Sequence, residues 1–286
     1  MGVRPLRQYY DGFPATIDAN LGSPITPWLR HRRRFADELS ALTEEQWRAP
    51  SRCEGWDARA IVSHLVTVDS FWVLSFAAAQ AHTPPTTFIR GFDPSTGTND
   101  LVAPMLELAS ETILERFVTG GDALIAVVEQ LHDAEWDAPA EAPFGHLPAR
   151  LILGHALWDS WLHERDILVP LGMSAAVEPD ELLVSTWFAL LAGGLQWGLL
   201  DDDAPVGPGL EAPVDVTIRF DDLPADPMRV RYDSRVTIAR AEGADAVAAG
   251  SAVDAVEGFT GRQPLRALGS LPPELVGQLA RASLFL

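Results

Sequence analysis

Apolar residues recur at helical spacing along the first two thirds of the chain. Residues 20 to 42 place Trp28, Leu29, Phe35, Leu39 and Leu42 on one face and Arg30 to Arg34 largely on the other, which predicts a helix with a solvated arginine face. Thr43-Glu44-Glu45-Gln46 has the form of a capping box, and Ala49-Pro50-Ser51 ends the short turn it opens. Asp57 then caps a helix running to Ala81, with Ile61, Val62, Leu65, Val66, Val68, Phe71, Trp72 and Leu74 as a broad apolar surface. Residues 82 to 100, with Pro84, Pro85, Gly91, Pro94 and Gly97, read as a long loop of a length often tied to function. Helical periodicity returns over 101 to 131 with a break at Gly120-Gly121, over 149 to 169 with Pro170 and Gly172 as terminators, and over 178 to 200.

The pattern changes at Asp201-Asp202-Asp203-Ala204-Pro205, where acidic residues, Pro and Gly without periodicity read as a linker. Val214 to Phe220 then alternates like a half-buried strand, Met228 to Tyr232 and Val236 to Ala239 continue the alternation, and helices are expected at 251 to 260 and 273 to 284. The predicted class is α+β, mainly α: an antiparallel four-helix bundle over residues 1–203 and a small α+β domain over 210–286. An internal echo supports paired helical halves. Leu42-x4-Trp47-x2-Pro50 and Leu131-x4-Trp136-x2-Pro139 both precede a long helix carrying a His.

Charge and composition narrow the partners. The net charge of -19 argues against binding nucleic acid or an anionic membrane surface. All 21 basic residues are Arg, so Schiff-base chemistry through a lysine is excluded. The single cysteine, Cys53, cannot form an intrachain disulfide, which points to a reducing cytoplasm. The N-terminus shows no apolar signal core, and no uninterrupted apolar run is long enough to span a bilayer. There is no phosphate-binding glycine loop and no G-x-S-x-G elbow.

The candidate chemistry lies in Trp158-Asp159-Ser160-Trp161-Leu162-His163-Glu164-Arg165-Asp166. Asp159 and His163 stand four residues apart in a helical stretch, so both can point at one atom. His64 lies on the apolar helix after Asp57. Two ligands from one helix and a third from a neighbour make a metal site with an open position, as a catalytic zinc requires. Taken singly, His64 also fits a core histidine, and Asp159 with His163 fits an ion pair. His155, one turn before Asp159, is a rival ligand or a pocket-lining residue.

Together with Cys53-Glu54-Gly55-Trp56-Asp57, these residues resemble the DinB-like four-helix bundles and specifically the mycothiol-dependent maleylpyruvate isomerase family. Gly250-Ser251 and Thr260-Gly261-Arg262 resemble the sterol-carrier-protein-type domain fused to that bundle. The resemblance implies a divalent metal, usually zinc, held by His64, Asp159 and His163. It also implies mycothiol as thiol cofactor, and a small electrophilic substrate that is isomerised or receives the thiol. The family has Glu where this chain has Asp159, one methylene shorter. Asp166 then serves as a partner for the His163 ring N–H, as a partner for Arg165, or as a cap on a neighbour. Cys53 is expected to pack in its turn, with a direct metal role as the alternative. Arg262 serves either as a substrate-carboxylate ligand or as a structural arginine. Two further readings stand beside the thiol-dependent enzyme: a metal-hydroxide hydrolase without thiol, and a non-catalytic ligand-binding module with a structural metal. A monomer and a homodimer are both compatible with the sequence.

Overall fold

A computed structural model of the chain describes residues 15–81, 97–142, 145–195, 214–233, 235–243, 245–248 and 250–264, with Val276 and Leu279. The described residues divide into two units: 25–176, and 15–24 together with 177 onward.

In the first unit, α1 (Ile25–Ser40) is followed by the single turn α2 (Glu44–Trp47) and the long α3 (Ala58–Gln80). Both halves of the expected capping box form: Gln46 N–H donates to Thr43 Oγ1 at 3.3 Å, and Thr43 N–H to Gln46 Oε1 at 2.9 Å. Asp57 Oδ1 accepts from Ala60 N–H at 2.9 Å and so starts α3 as expected. After α4 (Gly97–Val102) come α5 (Ser110–Val128), α6 (Asp133–Trp136), a hairpin of β2 (Pro139–Ala142) with β3 (Gly145–Pro148), and α7 (Ala149–Leu168). The echo between Leu42 and Pro50 and between Leu131 and Pro139 is structural. Its second copy forms α6, where His132 N–H donates to Glu135 Oε2 at 2.7 Å. The hairpin separating α6 from α7 is too short and too sparsely alternating to read from sequence.

The four long helices form the bundle. α1 packs against α5 and α7, and α3 packs against the same two, so α1 and α3 face each other across it. Phe35 and Leu39 of α1, Ile61 and Leu65 of α3, Phe117 of α5 and Ile167 and Leu168 of α7 share one apolar core. Two expectations are corrected here. The arginines of α1 are not a solvated face: Arg33 is exposed, but His31 and Arg32 are buried. Arg32 ion-pairs with Asp69 of α3 and donates to the Phe117 carbonyl at 3.2 Å, with its guanidinium 3.4 Å from the Phe117 ring centre. Gly120-Gly121 does not break α5. A Cβ on Gly121 would meet Arg32 Nε at 2.9 Å, so glycine is where α5 makes room for the buried arginine. By length and composition α3 is apolar enough to cross a membrane, but Ser63, His64, Thr67, Asp69 and Ser70 interrupt its apolar run. It is a bundle helix that carries Asp69 into the interior.

The second unit holds β1 (Ala15–Ile17), α8 (Pro179–Leu195), β4 (Val214–Arg219), β5 (Met228–Tyr232), β6 (Val236–Arg240), β7 (Val247–Ala248) and α9 (Ala252–Phe259). Its sheet has the order β1-β6-β5-β4-β7, antiparallel at β6-β5-β4 and parallel at both edges. Met228, Val230 and Tyr232 face inward while Arg229 and Arg231 are exposed, the alternation expected of a one-sided sheet. α8 groups with this sheet, whereas the composition shift placed it in the bundle. The Tyr232 hydroxyl donates to the Leu190 carbonyl at 2.6 Å, and a Cβ on Gly194 would meet Val236 at 2.5 Å. The linker-like residues lie outside the described residues, after a helix that already groups with the sheet. The helix expected at 273 to 284 lies largely outside the described residues.

Candidate metal centre

α7 is buried nearly all round, so its polar residues must be partnered inside the protein. Asp159 and His163 face α3, where His64 meets them. Asp159 Oδ2 lies 3.6 Å from His64 Nε2, and Asp159 Oδ1 lies 3.4 Å from His163 Nε2. The two imidazoles stand nearly perpendicular, 78° between planes, with centroids 5.2 Å apart. One donor atom from each residue falls within 4.8 Å of the other two. The His64 side chain is 15% exposed against 5% and 2% for Asp159 and His163, so access is from its side. There the Trp56 ring lies 5.7 Å from the His64 ring, and its indole N–H donates to Asn99 of α4 at 2.9 Å.

The tautomer of His163 follows from its neighbour. Its Nδ1 lies 3.0 Å from Asp166 Oδ2, and an ionised carboxylate only accepts, so the ring proton sits on Nδ1. Nε2 then carries a lone pair. It is buried and makes no hydrogen bond, and it points toward Asp159 and His64. A buried ring nitrogen without a partner is costly unless a ligand takes it. Two imidazoles and one carboxylate suit a divalent ion of the zinc type, and these residues fit one.

Charges around the cluster act on it unequally. Burial pushes the Asp159 carboxyl up, but His163 and His64 outweigh burial and hold it well below the usual carboxylate range. Burial pushes His155 down to about 4, so it is a neutral ring, packed edge-on to Trp72 at 5.3 Å. His155 is not brought into the three-donor group. Asp69 is pushed up to about 6 by burial, against the pull of Arg32.

Cys53 is half-buried in the turn before α3. Its Sγ lies 3.2 Å from Asp166 Oδ2 and 3.9 Å from His163 Nδ1, which makes Cys53, His163 and Asp166 a second group of close donors. Asp166 is committed elsewhere there. Arg52 Nε donates to its Oδ1 at 3.0 Å, so it pairs with Arg52 across the chain. Arg52 carried no signal in the sequence beyond its place in the turn that leads to His64. Arg262 belongs to the second unit. It follows α9, its N–H donates to the Glu257 carbonyl at 2.9 Å, and its guanidinium reaches the Thr260 carbonyl at 3.5 Å. The first unit brings His64, Asp159 and His163 together without it.

Comparison with known proteins places the fold. Two crystal structures of the mycothiol-dependent maleylpyruvate isomerase, one of a histidine-to-alanine mutant, share the fold with a TM-score of 0.56 each. At 15% and 16% identity the matches cover 87% of this chain and 95% of theirs. A third structure is described as "YfiT from Bacillus subtilis is a probable metal-dependent hydrolase with an unusual four-helix bundle topology". It covers 55% of this chain and 100% of its own at 18% identity, with a TM-score of 0.42, too low to add to the fold assignment. No curated protein matches the chain. The family model described as "Mycothiol maleylpyruvate isomerase N-terminal domain" matches residues 28–168, from α1 through the end of α7 and so across the whole donor cluster. Residues 28–168 therefore carry a domain of the mycothiol maleylpyruvate isomerase N-terminal type.

Proposed function

We propose that the first unit is a metal-dependent enzyme domain. His64, Asp159 and His163 hold one divalent ion, zinc on the chemistry of the donors, and the enzyme employs a low-molecular-weight thiol such as mycothiol. The reaction is isomerisation of, or thiol transfer to, a small electrophilic substrate. One observation carries this reading: the buried Nε2 of His163 has no hydrogen-bond partner and converges with His64 and Asp159. When bound, a divalent ion held by three side chains supplies a Lewis acid with a free position, where a thiol gives up its proton near neutral pH. Asp159 offsets the ion's charge, and Asp166 keeps the His163 lone pair turned inward. Trp56 narrows the approach beside His64. Arg262 is included as the partner of a substrate carboxylate, a role that rests on resemblance and on the bidentate fork of arginine. A cytoplasmic location goes with a small-thiol cofactor and a single free cysteine.

The test is metal content of the purified protein, wild type against His64→Ala and Asp159→Ala. The expected result is about one zinc per wild-type chain and none in either folded variant. No metal in the wild type after reconstitution overturns the reading. Turnover of a small unsaturated carboxylic acid with and without mycothiol then separates thiol chemistry from a metal-hydroxide hydrolase.

A further inference from the structure

Asp166 has two vacancies that its own helix cannot fill. Its main-chain carbonyl lies in the last turn of α7, and the residue four positions on, Pro170, has no N–H to donate. Its carboxylate is fully buried, with Oδ2 taken by His163 Nδ1 at 3.0 Å and by the Cys53 thiol at 3.2 Å. Arg52 fills both vacancies. Its backbone N–H donates to the Asp166 carbonyl at 3.1 Å, and its side-chain Nε to Oδ1 at 3.0 Å.

The turn that carries Arg52 is itself fixed. Pro50 and Asp57 bridge across it, and Ser51 Oγ donates to the Trp56 carbonyl at 2.8 Å and accepts from Cys53 N–H at 3.0 Å. Gly55 sits at φ 79°, where a side chain would be strained. The same turn ends in Asp57, the cap of α3. It therefore ties the start of the helix that carries His64 to the end of the helix that carries Asp159 and His163.

We propose that Arg52 is a positioning residue for the metal centre. Through Asp166 it fixes the orientation and proton position of His163, and through the turn it fixes the spacing of the two ligand-bearing helices. The inference rests on the metal reading above. The short side chain of Asp159 makes it more demanding, because one methylene less leaves less reach if the helices separate.

The experiment compares wild type with Arg52→Ala, Arg52→Gln and, as an exposed control, Arg48→Ala. Gln places its amide nitrogen the same number of bonds from the backbone as Arg Nε, so it keeps the donor and removes the charge. Zinc affinity is measured by competition with a chromophoric chelator. The His163 ring is followed by nitrogen-detected NMR in the metal-free protein. Arg52→Ala is expected to weaken zinc about 10- to 100-fold and to lose the single Nδ1–H signal of His163. Arg52→Gln should recover most of both, and Arg48→Ala should change neither. Wild-type behaviour of Arg52→Ala in both readouts overturns the proposal, as does a folded Arg52→Gln that behaves like Arg52→Ala. If Arg52→Ala does not fold, Arg52→Gln decides alone: retained affinity and tautomer support the proposal, and their loss overturns it. If the wild type binds no zinc, the metal reading fails. The NMR readout still shows whether Arg52 holds His163.

Discussion

α7 presents two buried faces built from similar residues one position apart. On one, Asp159 and His163 meet His64 of α3. On the other, Ser160 and Glu164 meet His31 of α1. Both join a histidine and a carboxylate through two α7 positions at i and i+4 spacing, and all four of those α7 residues are buried. The second face is closed. Arg34 donates to His31 Nδ1 at 2.9 Å, which puts the ring proton on Nε2, where Ser160 Oγ accepts it at 3.0 Å. Glu164 accepts from Arg34 Nε at 3.2 Å and from its Nη2 at 3.4 Å. On the first face the His163 proton is drawn away from the cluster by Asp166, and Nε2 is left with a lone pair and no donor. Residue type and helical spacing therefore do not separate a ligand set from a structural network. What separates them is whether a lone pair is left over at the point where the side chains converge.

The largest expected effects sharpen this contrast directly. His163→Ala should remove the metal completely while the helical circular dichroism stays near wild type. His31→Ala should leave metal per folded chain unchanged. A His163 variant that unfolds outright would make the first face structural as well. His31→Ala should instead cost about 2–4 kcal/mol in denaturant unfolding, because it opens a cavity and removes the ring's hydrogen bonds with Ser160 and Arg34. A cost near zero would mean that the closed face contributes nothing.

pH offers an intermediate test. Burial and the Glu38 carboxyl push Glu164 up to about 8, with Arg34 pulling the other way. That value lies above the 4.5 of an ordinary glutamate, so folding favours the protonated form. Its contribution is complete below about 4.5 and is lost as the pH rises to about 8. The thermal midpoint of the metal-free protein should accordingly fall over that range, and Glu164→Gln, which mimics the protonated side chain, should flatten the fall. An unchanged slope in the variant would assign the pH dependence to other groups. The smallest effect is expected from Ser160→Ala, about 1 kcal/mol for one hydrogen bond, with no change in metal content. Measurable loss of metal from this variant would break the separation between the two faces.

Much of the molecule was readable one helix at a time. The capping box at Thr43, the cap at Asp57 and the end of α7 at Pro170 depend on residues within a few positions of one another. The pairing of Asp159 with His163 needs only the helical repeat. The missed features all depend on neighbours far along the chain. Arg32 reads as exposed until Asp69 and Gly121 supply its buried setting, and α8 reads as bundle until Tyr232 and Val236 pack against it. Arg52 has no visible role until Asp166, 114 positions away, lies beside it.

The sequence alone determined the helices, their caps and the three donor types of the cluster, because backbone geometry and side-chain chemistry act over a few residues. Tertiary structure decided which donors stay unpaired, because a hydrogen bond is made or lost by whatever the fold brings within about 3 Å. His31 and His163 are the same residue in similar helices. One is closed by Arg34 and Ser160, and the other is turned inward by Asp166 and left open.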